Sequence, residues 1–152
     1  MSTRAVVWLK QKKIPFEVVH YDHAEKGASF AAQATGFPLA QTIKTLVVHL
    51  GDKSFGLALM PGDQALSLKK MAKACGVKKA TMADGAEAER LTGYHVGGIS
   101  PFGIRQRLPA IMEATLLQYD AVMINAGQRG AMLKMAPVDI VNGIECKVED
   151  LA

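Results

Sequence analysis

Lys44 is a cation set in a run of core residues. Thr42-Ile43-Lys44-Thr45-Leu46-Val47-Val48-His49-Leu50 is almost continuously apolar and rich in β-branched side chains, the composition of a buried strand. Side chains alternate faces along a strand, so Lys44 shares a face with Leu46, Val48 and Leu50. An ammonium on that face is costly to desolvate and calls for a polar counterpart: a cleft, a buried carboxylate or a charged ligand. At the strand's first turn it could instead snorkel out to water.

Other residues offer less. His20-Tyr21-Asp22-His23 contains metal-ligand types, but on a strand His20 and Asp22 face one way while Tyr21 and His23 face the other. No later cluster completes a coordination sphere, so a hydrogen-bonded strand end accounts for it and no metal is expected. Gly97-Gly98-Ile99-Ser100-Pro101-Phe102-Gly103 is not a nucleophile elbow, because Pro101 follows Ser100 where a helix would begin. Its glycines let backbone approach a ligand closely, and successive N–H groups could hold an oxyanion; a tight loop needing positive φ reads the same way. Cys75 and Cys146 stand in no metal or redox spacing and read as small buried or half-buried residues. An enzyme with this inventory works by positioning and electrostatics rather than through its own nucleophile.

The elements that must position these groups follow from periodicity and punctuation. A helix is predicted over 4–13, capped by Ser2 or Thr3, and a strand over 16–21. A short helix over 29–35 ends at Gly36. The Lys44 strand turns at Gly51-Asp52-Lys53 into a second strand over 55–60, forming a hairpin. Helices over 68–75 and 84–91 follow. Residues 93–103 form the long irregular loop, the usual seat of function. A second hairpin spans 121–135 across Gly127-Gln128-Arg129-Gly130, and a short helix from Pro137 and a strand over 144–148 close the chain. Hairpins mixed with helices predict an α/β fold with a mixed, partly curled sheet and helices around it, not a doubly wound parallel sheet.

Composition bounds the rest. The 152 residues, 49% hydrophobic and 21% charged, suit one globular domain covering 1–152. No apolar run approaches the ~20 residues of a membrane span, and the start has no apolar signal core, which points to a cytoplasmic protein. The net charge of +4 is mild, but Lys69, Lys70, Lys73, Lys78 and Lys79 crowd one segment, Lys10, Lys12 and Lys13 end the first helix, and Arg105 and Arg107 follow the glycine-rich loop. Lysines at a helix C-terminus suit the helix dipole and need no ligand, yet RNA would find several phosphate-neutralising residues here. Solvated surface and nucleic-acid contact both remain open.

Four blocks in order, Ile43-Lys44-Thr45-Leu46, Met82-Ala83-Asp84, Thr92-Gly93-Tyr94-His95-Val96-Gly97-Gly98-Ile99-Ser100-Pro101-Phe102-Gly103 and Gly127-Gln128-Arg129-Gly130, resemble the YbaK family. These are free-standing aminoacyl-tRNA deacylases related to the editing domain of bacterial prolyl-tRNA synthetase. The resemblance implies a single α/β domain with a mixed, partly barrel-like sheet surrounded by short helices. It further implies hydrolysis of the ester between a wrong amino acid and the tRNA 3′ end, most of all cysteine on tRNA-Pro, with alanine, serine or threonine as the alternatives. A synthetase separates amino acids of similar size poorly, which is why such a second site is needed.

The same resemblance implies catalytic positions at Lys44 and Gly97 and substrate-binding positions at Tyr21, Phe30, Thr45, Gly98, Ser100 and Met132. Lys44 would hold the terminal adenosine or its phosphate, Gly97 would bring backbone to the ester, and Tyr21 or Phe30 would stack on adenine, although Phe30 suits a core equally well. The substrate's own thiol is the implied attacking group for cysteine, and water for the other amino acids. Met132 departs from the aspartate usual in the family, which weakens cysteine specificity, and His95 replaces a more usual aliphatic residue. The implied partners are mischarged tRNA and prolyl-tRNA synthetase, with no cofactor, no membrane and no DNA. A non-catalytic module binding tRNA or synthetase is the rival of a different class.

Overall fold

The computed structural model describes every residue except 23, 25 and 26. Among the described residues, five α-helices and eight strands form, and local signals explain most of their ends. Helix α1 (Arg4–Gln11) starts where the Thr3 hydroxyl accepts the Val6 N–H at 3.2 Å. The same hydroxyl donates to the Ala126 carbonyl, which ties the helix to a distant strand. Helix α2 (Ala28–Thr35) is terminated by Gly36 in the left-handed region. Helix α4 (Gly85–Thr92) opens with a reciprocal capping box: the Glu87 N–H donates to the Asp84 carboxylate at 2.8 Å, and the Asp84 N–H donates back to Glu87. The remaining helices are α3 (Leu68–Ala74) and α5 (Pro137–Ile144).

The strands are β1 (Glu17–His20), β2 (Ile43–His49), β3 (Phe55–Pro61), β4 (Thr81–Met82), β5 (Ala110–Glu113), β6 (Val122–Gln128), β7 (Ala131–Met135) and β8 (Lys147–Glu149). They make a mixed five-stranded sheet in the order β4-β2-β3-β5-β8 and an antiparallel three-stranded sheet in the order β1-β7-β6. A parallel bridge between Thr42 and Met123 joins the two. The expected mixed sheet with helices around it is what the chain forms.

Strand β3 is buried at all seven positions, which explains its unbroken apolar run. Its alternate residues feed two cores. Phe55, Leu57 and Leu59 join Ile43 and Val47 of β2 in the main cluster, while Ala58 and Met60 join Val48, Leu50 and Met71 of α3 in a second. Lys44 therefore has the parity expected of it, on the face of β2 that packs toward α3.

Three elements depart from expectation. Strand β5 was not foreseen: four residues between Pro109 and a 3₁₀ turn carry no readable period, yet they sit between β3 and β8 with parallel pairing to both. Strand β4, two residues between the predicted helices over 68–75 and 84–91, was not foreseen either. The final strand starts later than 144, because α5 continues through Ile144 and Glu145 then turns at φ +52°. Glu113, at the end of β5, is 2% exposed and accepts from the Thr115 N–H, the Thr115 hydroxyl and the Leu151 N–H at 2.6–2.8 Å. Burial pushes its carboxyl up, but these hydrogen bonds outweigh that and hold it below the usual range.

Candidate active site

A cavity of about 350 Å³ opens where β2 and β6 part company. The two strands meet at the Thr42–Met123 bridge, while β4 pairs with β2 only at Val48 and His49. Between those points no described strand covers the edge of β2, and Lys44, Thr45 and Leu46 line the gap. The segment Met82–Gly85 and the start of α4 form one wall, Gly97 and Ile99 another, and Asn125, Met132, Tyr21 and Ala31 close the far side.

Because the cavity lies at a strand edge rather than on a sheet face, residues of both parities reach it. Lys44 is half-buried, and no carboxylate among the described residues approaches its ammonium within ion-pair distance. The Thr45 hydroxyl is buried and makes no hydrogen bond. Leaving such a group unsatisfied costs about 1–3 kcal/mol, so a ligand is its natural partner. The Ala83 N–H donates to the Val47 carbonyl at 3.1 Å, which shows that Val47 turns its backbone toward β4. By alternation Thr45 turns its N–H and carbonyl toward the same open edge.

The glycine-rich loop is held rigidly against this gap. Helix α4 ends at Gly93 with φ +80°, and the buried Tyr94 hydroxyl donates to the Phe102 carbonyl, pinching the loop closed. Burial pushes that phenol up to about 12, so it stays a donor. Gly97 adopts φ +94°, which favours glycine. Its carbonyl accepts from Asn125 Nδ2 at 3.4 Å, while Asn125 Oδ1 accepts the Gly127 N–H at 2.7 Å across the β-bulge of β6. Gly98 packs on that bulge so tightly that a Cβ there would lie 2.9 Å from the Gln128 Cα. Asn125 was not anticipated; the available signal was a lone amide inside the apolar run before Gly127-Gln128-Arg129-Gly130.

The structure brings Lys44, Thr45, Gly97, Tyr21 and Met132 together around the cavity. It places three other candidates elsewhere, for identifiable reasons. Gly98 lies behind Gly97 and serves the hairpin contact. Ser100 is fully buried and its hydroxyl accepts the Phe102 N–H, an internal loop bond. Phe30 is not among the lining residues and packs its ring 6.3 Å from that of Tyr21. His20 is exposed at the end of β1, and His23 falls outside the described residues. His95 is exposed beside Glu89. Cys75 and Cys146 are free thiols away from the cavity, and burial pushes Cys146 up to about 11. A larger hollow of about 670 Å³ lies between α1 and Arg105–Leu108, but none of the cavity's polar groups reaches it.

The family model for the aminoacyl-tRNA editing domain matches residues 23–142. The chain belongs to this family. Among editing-domain proteins it is 35% identical, over 93% of its length and 87% of the relative's, to EbsC of Enterococcus faecalis (strain ATCC 700802 / V583), to which a Cys-tRNA(Pro)/Cys-tRNA(Cys) deacylase activity is ascribed. It is 30% identical, over 88% of its length and 83% of the relative's, to the multifunctional Ser/Thr-tRNA deacylase ProXp-y of Escherichia coli (strain K12). A crystal structure ascribed to a trans-editing enzyme for prolyl tRNA synthetase superposes with a TM-score of 0.88 at 30% identity, covering 99% of this chain and 98% of that one. In this editing domain the open edge of β2 and the clamped glycine loop face each other across the cavity. Among the described residues no helix is long and apolar enough to cross a membrane.

Proposed function

We propose that this chain is a trans-acting aminoacyl-tRNA deacylase that removes a wrong amino acid from the tRNA 3′ end, with cysteine on tRNA-Pro as the favoured substrate. The observation that carries this is the meeting of Lys44, the unsatisfied Thr45 hydroxyl and the Gly97 backbone around one cavity. No cysteine, serine or histidine stands among the described residues lining it. Such a site binds and orients an ester and leaves the attack to the substrate or to water.

Lys44 neutralises the phosphate of the terminal nucleotide and fixes its ribose. Thr45 gives its free hydroxyl to the ester, and the Gly97 backbone borders the carbonyl whose oxygen gains charge in the transition state. With a cysteinyl ester, the substrate sulfur bonds to its own carbonyl carbon and the carbon–oxygen bond to the ribose breaks. The ribose oxygen takes up the proton that the thiol gives up, and the amino acid leaves as a cyclic thioester that water later opens. An S-methylcysteinyl ester blocks this route, so its hydrolysis should be at least 100-fold slower than that of the cysteinyl ester. Equal rates would replace the substrate thiol with water as the attacking group.

Serine or threonine is the second reading, favoured by one residue. Met132 is 3% exposed and borders the cavity with a thioether, which cannot polarise a substrate thiol as a carboxylate can, so the thiol route loses its advantage over attack by water. Met132→Asp should raise the preference for cysteine over serine by about tenfold, read from competing deacylation of the two esters. An unchanged ranking removes Met132 from specificity.

Thr45→Val separates binding from folding. Deleting an unsatisfied hydroxyl at similar volume should raise stability by about 1 kcal/mol and slow deacylation about tenfold, the value of one lost hydrogen bond. Thermal melting and single-turnover rates on the same samples check both signs. We further place the protein in the cytoplasm beside prolyl-tRNA synthetase, which would supply the tRNA selection that a site gripping phosphates and the common 3′ end lacks.

A further inference from the structure

We propose that the lysine-lined hollow between α3 and β4 is the seat of the RNA backbone leading into the cavity; the proposal rests on the deacylase assignment and deepens it. Lys69, Lys73, Lys78 and Lys79 ring a hollow of about 430 Å³ floored by apolar side chains such as Ala72 and Val77. The ion pairs among described residues are Lys70–Asp150, His95–Glu89 and Arg107–Glu145, so none of the four has a carboxylate partner there. Lys70, the one lysine of the segment that is paired, turns away to Asp150 at 2.8 Å and to the Ala152 carbonyl.

Ordinary helix electrostatics do not account for this arrangement. Lys73 lies in the last turn of α3 and suits the dipole, but Lys69 lies in the first turn, where a cation is unfavourable and no acidic residue compensates. Lys69 and Lys73 are four residues apart and repel along one face of the helix. Four cations gathered without acids complement a row of phosphates.

The hollow also lies next to the cavity. Lys79 is three residues from Met82, which lines the active-site wall, so the chain between them spans at most about 10 Å. Thr81 and Met82 between the two are exposed, leaving the path open. A tRNA whose terminal adenosine enters the cavity thus lays its next phosphates on these lysines.

The test compares wild type with a variant carrying Lys69→Gln, Lys73→Gln, Lys78→Gln and Lys79→Gln together, on full aminoacyl-tRNA and on aminoacyl-adenosine, from 50 to 200 mM salt. The variant should lose tenfold or more in kcat/KM on tRNA, with a log–log salt slope shallower by about 3. Its rate on aminoacyl-adenosine should be unchanged, and the four Lys→Arg replacements should restore activity on tRNA. An unchanged salt slope would overturn the proposal. So would an equal loss on both substrates, or transfer of the whole effect to neutralising Arg4, Arg105 and Arg107. If wild type hydrolyses neither substrate, the deacylase assignment fails by itself, and anisotropy of labelled uncharged tRNA still decides the hollow by the same slope. Intact tRNA binding with lost binding of prolyl-tRNA synthetase would assign the hollow to a protein and likewise overturn it.

Discussion

Lys44→Ala is expected to slow single-turnover deacylation by roughly 10²–10³-fold, on the scale of losing one preorganised charge contact, while the protein melts within a few degrees of wild type. Both halves follow from the site. Lys44 is half-buried at an uncovered strand edge, with no carboxylate partner among the described residues, so truncation strands no buried charge. Its cross-strand neighbour Met60 stays covered by the second core. What is lost is the one cation among the described residues of the cavity lining. Lys44→Arg should recover little, because a planar guanidinium does not occupy the space of a compact ammonium. A full rate in Lys44→Ala would remove the residue from the chemistry.

Gly98→Ala is expected to cost about 1–3 kcal/mol of stability, the range for overpacking, and to slow deacylation by about 10- to 100-fold. The added methyl would sit 2.9 Å from the Gln128 Cα and 3.1 Å from the Arg129 N, backbone atoms that cannot swing aside. The loop must lift off the β6–β7 hairpin instead. Lifting it breaks the Asn125 contact to the Gly97 carbonyl and moves the cavity wall, and displacements near 1 Å at a positioning site can cost 10²-fold. Chemical denaturation and single-turnover rates on one preparation measure the two effects. A variant as active and as stable as wild type would show that the clamp does not position Gly97.

Much of this arrangement was legible in the chain. The hairpin of β2 and β3 follows from two apolar runs around Gly51-Asp52-Lys53, and α4 starts where Asp84 and Glu87 can cap each other. The parity of Lys44 follows from strand alternation alone. What stayed hidden depends on contacts far apart in sequence. Strand β5 pairs Ala110 with Leu57, a non-local parallel contact that four residues cannot announce.

The glycine loop shows the same limit at the site itself. One short motif supplies a residue that lines the cavity (Gly97), one that packs on the hairpin (Gly98) and one buried in an internal bond (Ser100). Residue types cannot sort these three; the bulge of β6 does. Nor could Phe30 be told from Tyr21 by type, since both are aromatic and only Tyr21 reaches the lining. The open edge beside Thr45 exists because β4 stops after two residues, a tertiary fact with no local signature.

The most direct measurement is single-turnover hydrolysis of Cys-tRNA-Pro, Ala-tRNA-Pro, Ser-tRNA-Pro and correctly charged Pro-tRNA-Pro by the wild-type protein. Rapid loss of the cysteinyl ester with the prolyl ester spared is the expected result. Hydrolysis of none of the four above the rate in buffer would contradict it and leave a binding module on an editing-domain fold.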